Sequence, residues 1–159
     1  MTAARARGFT LIELVITVAI VGLLATMAMP LARLATQRNN ESELREALRT
    51  LRQALDAYKD AADEGRIQLE AGASGYPPNL QVLVDGVEDQ RSPKKAMIYF
   101  LRRVPRDPLY PDTSAAAADT WGLRSYRSPP SDPSAGDDVF DVYSLAAGQG
   151  LNGVAYRDY

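Results

Sequence analysis

Glu13 is the residue most open to chemistry, because of where it stands. Residues 9–29 (FTLIELVITVAIVGLLATMAM) are otherwise almost wholly apolar. A carboxylate four residues into such a run costs about a few kcal/mol in lipid unless it meets a cation. Two readings are open: a carboxylate that snorkels silently to the membrane edge, or a charge that pairs with a cation when subunits assemble. Asp137, Asp138 and Asp141 form the second candidate, three carboxylates able to offer oxygens to a hard cation. The plainer reading is that Asp137 and Asp138 are solvated loop residues, and no ligands are assigned. Beyond these the inventory is thin. The chain has no histidine and no cysteine. That removes the commonest general base and zinc ligand, disulfides, thiolate metal sites and every Ser-His or Cys-His nucleophile. No glycine-rich phosphate loop or grouped carboxylate pair is present, so an enzyme is not expected. A net charge of −2 gives no wide basic surface for nucleic acid.

The elements that must position Glu13 begin with the apolar run itself. About twenty apolar residues are enough to cross a bilayer as a helix. Arg5 and Arg7 precede the run and no basic residue lies within it, which predicts a cytoplasmic N-terminus and a remainder outside the cytoplasm. An ordinary cleaved secretory signal fits less well. The run is longer than a signal core, and Ala25-Thr26-Met27 is a poor small-x-small cleavage site. Gly22 and Pro30 interrupt the helix. Proline lacks an N–H and crowds the Thr26 carbonyl, while glycine weakens the same stretch by about 1 kcal/mol relative to alanine.

Beyond Pro30 the helical period continues with a different character. Leu44, Ala47, Leu48, Leu51, Leu55 and Tyr58 fall on one stripe, with Arg45, Arg49, Arg52, Asp56 and Lys59 facing away. Glu41 with Arg45, and Arg52 with Asp56, are four apart and can pair on the exposed face. No stop signal intervenes, so one nearly continuous helix is expected over residues 10–62, ending at Gly65. The rest is loop-rich. Residues 80–84 read as a short helix or turn, residues 97–104, 122–127 and 139–145 as strands, and residues 128–138 as a loop.

The string Gly8-Phe9-Thr10-Leu11-Ile12-Glu13 resembles the signal of type IV pilins and pseudopilins, and the likeness covers Arg7 to about Leu24. The resemblance implies that prepilin peptidase cuts between Gly8 and Phe9 and that Phe9 is then N-methylated. It implies further that Glu13 pairs with the Phe9 amine of a neighbouring subunit, and that the stretch between residues such as Gly22 and Pro30 can unwind in a filament. Further along, Tyr76-Pro77, residues 80–84, Arg106-Asp107-Pro108, Trp121-Gly122 and Phe140-Asp141-Val142-Tyr143-Ser144-Leu145 occur in the order seen in the major (G-type) pseudopilin of type II secretion. Two departures stand out. Asp107-Pro108 and Trp121-Gly122, usually adjacent there, are separated by an alanine-rich insert over residues 109–120. Aspartates that often bind calcium after the last strand are largely missing, since residues 146–153 read AAGQGLNG. No cofactor is therefore expected, and calcium stands in doubt.

The resemblance implies an α+β chain of the type IV pilin fold, with a long N-terminal helix packed on a small antiparallel sheet. Its parts are a cleaved cytoplasmic leader (1–8), a transmembrane and filament-core helix (9–30), an amphipathic continuation (31–62) and a periplasmic globular domain (63–159). The implied function is structural: a single-pass inner-membrane subunit of a type II secretion pseudopilus, polymerising into a short periplasmic filament that helps push exported proteins through the outer membrane. Implied partners are prepilin peptidase, other pseudopilins, an inner-membrane platform protein and, indirectly, a cytoplasmic assembly ATPase. The alternatives are a type IV pilus or competence minor pilin and, in another class, a membrane-anchored periplasmic binding or enzymatic module.

Overall fold

Apolar residues at helical spacing, followed by a second run with a single apolar stripe, produce one helix. The computed structural model describes residues 10–159, with the backbone alone at residues 27–31. Helix α1, Leu11–Asp63, contains 53 residues. It is assigned as helix through Gly22 and Pro30. Its end follows from Gly65, whose φ of 70° is costly for any residue with a Cβ. The Gly65 N–H bonds Ala62 O and the Arg66 N–H bonds Ala61 O, both at 2.9 Å. These two bonds are the Schellman pattern that satisfies the last helical carbonyls.

The chain divides into two compact units at Asn39 and Asn40. In the first, ten large apolar side chains between Leu11 and Leu24 are each more than half exposed. Water is a poor environment for so continuous an apolar surface. Among the described residues no helix is long and apolar enough to cross a membrane. The apolar side chains described run over residues 11–26, short of the about twenty that a crossing requires. The remainder of the expected 9–30 span, Phe9 and the side chains of 27–31, lies outside the described residues.

The second unit, Asn40–Tyr159, carries the core. All six stripe residues of α1 are buried, joined by Ala54, Ala61 and Ala62. They pack in one cluster with Leu80, Leu83, Trp121, Val139, Val142 and Tyr156. Each fully buried leucine stabilises by about 1.5–3 kcal/mol. Helix α2 is a single turn, Val82–Asp85, with the Val82 N–H held by Asn79 Oδ1 at 3.1 Å.

The sheet is two separate antiparallel ladders. Strand β1, Val87–Glu88, pairs with β2, Met97–Ile98; β3, Trp121–Arg124, pairs with β4, Asp141–Ser144. The α+β architecture is thus the expected one, with shorter strands. The strand expected over residues 97–104 stops at Ile98 because the Phe100 and Leu101 N–H groups both bond Leu83 O, at 3.0 and 2.9 Å, instead of a strand partner. At the end of β3 the Ser125 N–H turns to Ser134 O, and ahead of β4 the Val139 N–H bonds Pro77 O. Along β4, Val142 and Ser144 face inward while Asp141 and Tyr143 are half-buried, the alternation expected of this segment.

The two i,i+4 pairs expected on the outer face of α1 turn out differently. Arg52 Nε bonds Asp141 Oδ1 at 2.9 Å, on β4, rather than Asp56. Arg45 does lie 3.6 Å from Glu41 Oε2, but Glu41 is only 3% exposed and belongs to the interior.

Candidate functional site

Thr10 and Glu13 close the start of α1 on each other. The Glu13 N–H donates to Thr10 Oγ1 at 3.2 Å, and the Thr10 N–H lies 3.4 Å from Glu13 Oε2. This is a capping box, in which a threonine and a glutamate three residues on each satisfy a backbone donor that the first helical turn leaves unbonded. The spacing was visible as Thr-x-x-Glu ahead of an apolar run, yet Glu13 read on its charge alone conceals it. A carboxylate in the first turn is also favoured by the helix dipole. Gly8 and Phe9, where cleavage and methylation are expected, lie outside the described residues; in sequence they precede the Thr10 cap. Gly22 is in the exposed apolar stretch, with nothing near the position a Cβ would take. The side chain of Pro30 lies outside the described residues.

In the domain the pieces separated by the insert come back together. The Asp107 N–H donates to Thr120 Oγ1 at 3.1 Å, so residues 109–120 leave and return to the same point. Arg106 ties the excursion down through the Ala115 carbonyl at 2.6 Å and the Asp112 carbonyl. Trp121 Nε1 donates to Pro105 O at 2.8 Å, which sets the tryptophan against the Arg106-Asp107-Pro108 turn. Asp107 then accepts from the Leu109 N–H at 2.8 Å and from the Ser144 hydroxyl on β4. The insert is therefore a closed loop on an otherwise joined Asp-Pro and Trp-Gly junction.

The three aspartates considered as oxygen ligands do not converge. Asp141 lies between Arg52 and Arg124, at 2.9 and 3.4 Å. Asp138 Oδ1 accepts the Tyr126 N–H at 2.7 Å. Asp137 and Asp138 line the same open cleft of about 800 Å³ beside Tyr76 and Tyr126, which Asp141 does not line. Among the described residues no group of three or more carboxylates could hold a metal ion. The calcium position implied after the last strand fits no better. Residues 145–153 contain no carboxylate, and calcium takes six to eight oxygens, typically including several carboxylates.

Two comparisons bear on these features. The prokaryotic N-terminal methylation motif matches residues 3–29. Over 106 residues the chain is 29% identical to the type II secretion system core protein G of Klebsiella michiganensis, covering 64% of this chain and 67% of that protein. The N-terminal segment therefore carries a type IV pilin-like signal. No solved structure gives a significant match. The pilin-like signal contains the Thr10–Glu13 cap and most of the exposed apolar helix. The similarity to core protein G is longer than the signal and so reaches into the domain.

Proposed function

We propose that this chain is a structural subunit of a type II secretion pseudopilus rather than a catalyst. The observation that carries the reading is the extent of the similarity to core protein G, which is too long to be explained by the 3–29 signal alone. On this reading prepilin peptidase removes residues 1–8 and Phe9 is N-methylated. In sequence the Gly8–Phe9 bond precedes the Thr10–Glu13 cap, so on this reading the capped turn begins just after the bond that is cut. Residues 9–30 then hold the subunit in the inner membrane with the N-terminus cytoplasmic, residues 31–62 continue the helix, and residues 63–159 form the periplasmic domain.

The exposed apolar side chains of residues 11–24 support both the stored and the assembled state. Lipid covers them before assembly, and neighbouring helices cover them in the filament core. Glu13 pairs there with the Phe9 amine of a neighbour, two charges that are costly alone in an apolar medium and far less so together. The stretch between Gly22 and Pro30 is where a filament helix unwinds. Assembly draws on other pseudopilins, a platform protein and, indirectly, a cytoplasmic ATPase, and the filament helps push exported proteins through the outer membrane. A second reading, a type IV pilus or competence minor pilin, is favoured by the insert over residues 109–120 and by the carboxylate-free segment after β4.

The test is expression with and without prepilin peptidase, followed by mass spectrometry of the N-terminus and rescue of secretion in a strain lacking its core protein G. A peptidase-dependent product beginning at N-methyl-Phe9 that rescues secretion is expected. A methylated product that supports pilus assembly or DNA uptake but not secretion favours the second reading. An uncut chain sinks both.

A further inference from the structure

We propose that the C-terminal loop of this chain, residues 146–159, is closed by the buried Glu41 carboxylate in place of a cation, so that the folded domain needs no calcium. The inference concerns the domain itself and stands whichever filament the chain builds. Glu41 is an early residue of α1 within the second unit. Its Oε1 accepts the Leu151 N–H at 2.9 Å, its Oε2 lies 3.3 Å from the Tyr159 hydroxyl, and Arg45 stands 3.6 Å away. The Tyr159 hydroxyl also lies 3.0 Å from Asn152 Oδ1 and accepts from Arg45 at 3.2 Å. The Arg45 guanidinium covers the Tyr159 ring at 4.7 Å.

The polarity of this arrangement is the argument. A calcium site needs oxygens converging on one point. Here the Leu151 N–H of the loop and the Arg45 guanidinium of α1 converge on the carboxylate, with the single Tyr159 hydroxyl proton shared between Glu41 and Asn152 Oδ1. The Glu41 carboxylate is thus met by donors and a cation rather than by further oxygens. The Asn152 side-chain oxygen also accepts the Val154 N–H at 3.1 Å. The backbone is shaped to the same end. Gly150 passes so close to Tyr159 that a Cβ would overlap its hydroxyl, and the Gly150 N–H and Val154 O bond at 2.8 Å to tighten the loop. Tyr156, edge-on to Tyr159 at 5.7 Å, joins the assembly to the core. A carboxylate fixed on α1 thus does from inside what a bound cation does from within a loop.

The experiment is amide hydrogen exchange and thermal melting of the full mature chain in detergent, each in calcium and in chelator, for the wild type, Glu41→Ala and Tyr159→Phe. Wild-type exchange at Leu151 and the melting midpoint are expected to be the same in both solutions. Glu41→Ala should speed Leu151 exchange at least about tenfold in both, and Tyr159→Phe should speed it less. Calcium-dependent protection of residues 146–159, or a midpoint raised by calcium, overturns the proposal. So does Leu151 exchange left unchanged by both substitutions. Should Glu41→Ala not fold, Tyr159→Phe decides: faster loop exchange supports the clamp and unchanged exchange rejects it.

Discussion

The Ser144 hydroxyl donates to Asp107 Oδ2 at 2.6 Å across 37 residues of chain, and both side chains are buried. The contact joins β4 to the turn from which the insert departs. It ties to the last strand the point where residues 109–120 leave and return. The Asp107 carboxylate bridges three places at once: the start of the insert through the Leu109 N–H, the end of the insert through its own N–H on Thr120, and the last strand through Ser144. A buried carboxylate is retained only where such donors surround it.

Asp107→Ala is therefore expected to destabilise the domain by about 2–4 kcal/mol, since it strands the Ser144 hydroxyl and the Leu109 N–H and leaves a small void. Ser144→Ala removes one bond and should cost about 1 kcal/mol. The two losses should not add, because they share a contact. Urea unfolding of the single and double variants measures the coupling; strictly additive losses would mean that the 2.6 Å bond contributes nothing to stability.

Gly122 and Tyr143 are cross-strand partners, and the tyrosine ring lies where a Gly122 Cβ would go. The Arg157 guanidinium covers that ring at 5.3 Å. Gly122→Ala should displace the ring and cost about 1–3 kcal/mol, as overpacking does. In a Tyr143→Ala background the same substitution should cost much less, because the obstruction is gone. Equal costs in the two backgrounds would place the strain in the backbone instead.

The Arg66 guanidinium bonds Asp89 Oδ2 at 2.7 and 3.1 Å, and with the Arg91 N–H on Oδ1 it holds the Asp89 carboxyl below its ordinary pKa. With the folded value depressed, the unfolded chain binds the extra proton first as the pH falls below about 3.9. The contribution is thus complete above that value and is lost on acidification through the folded value. Asp89→Asn should narrow the gap in urea midpoint to wild type at pH near 3 relative to the gap at neutral pH. An equal gap at both would show that the pair does not couple stability to pH.

The parts of the fold legible in sequence are those set by local repetition. The stripe from Leu44 to Tyr58 repeats at helical spacing and was buried as read, and Gly65 ends α1 because the turn there needs a positive φ. Strand lengths were less legible, since the truncation of β2 depends on a carbonyl at Leu83 that the pattern of residues 97–104 does not reveal. Glu41 was the hardest to read. Beside Arg45 it looks like one half of an exposed helical pair, whereas its decisive partners, Leu151 and Tyr159, lie 110 and 118 residues away. The insert is legible in sequence as a separation of Asp107-Pro108 from Trp121-Gly122, but only the folded chain brings Thr120 back to Asp107.

The Thr10–Glu13 box makes the two roles of Glu13 separable. Thr10→Ala removes the hydroxyl that accepts the Glu13 N–H and should fray the first turn at a cost of about 1 kcal/mol. Glu13→Gln keeps an oxygen for the Thr10 N–H and loses the charge, while Glu13→Ala loses both. If charge pairing sets subunit register, Glu13→Gln and Glu13→Ala both abolish filaments although the leader is still removed, and Thr10→Ala assembles at a reduced level. If capping is what matters, Glu13→Gln assembles like wild type and Thr10→Ala falls with Glu13→Ala. The measurement is the amount of sheared filament, normalised to processed subunit in the membrane. Filaments at wild-type level in Glu13→Ala would remove Glu13 from assembly altogether.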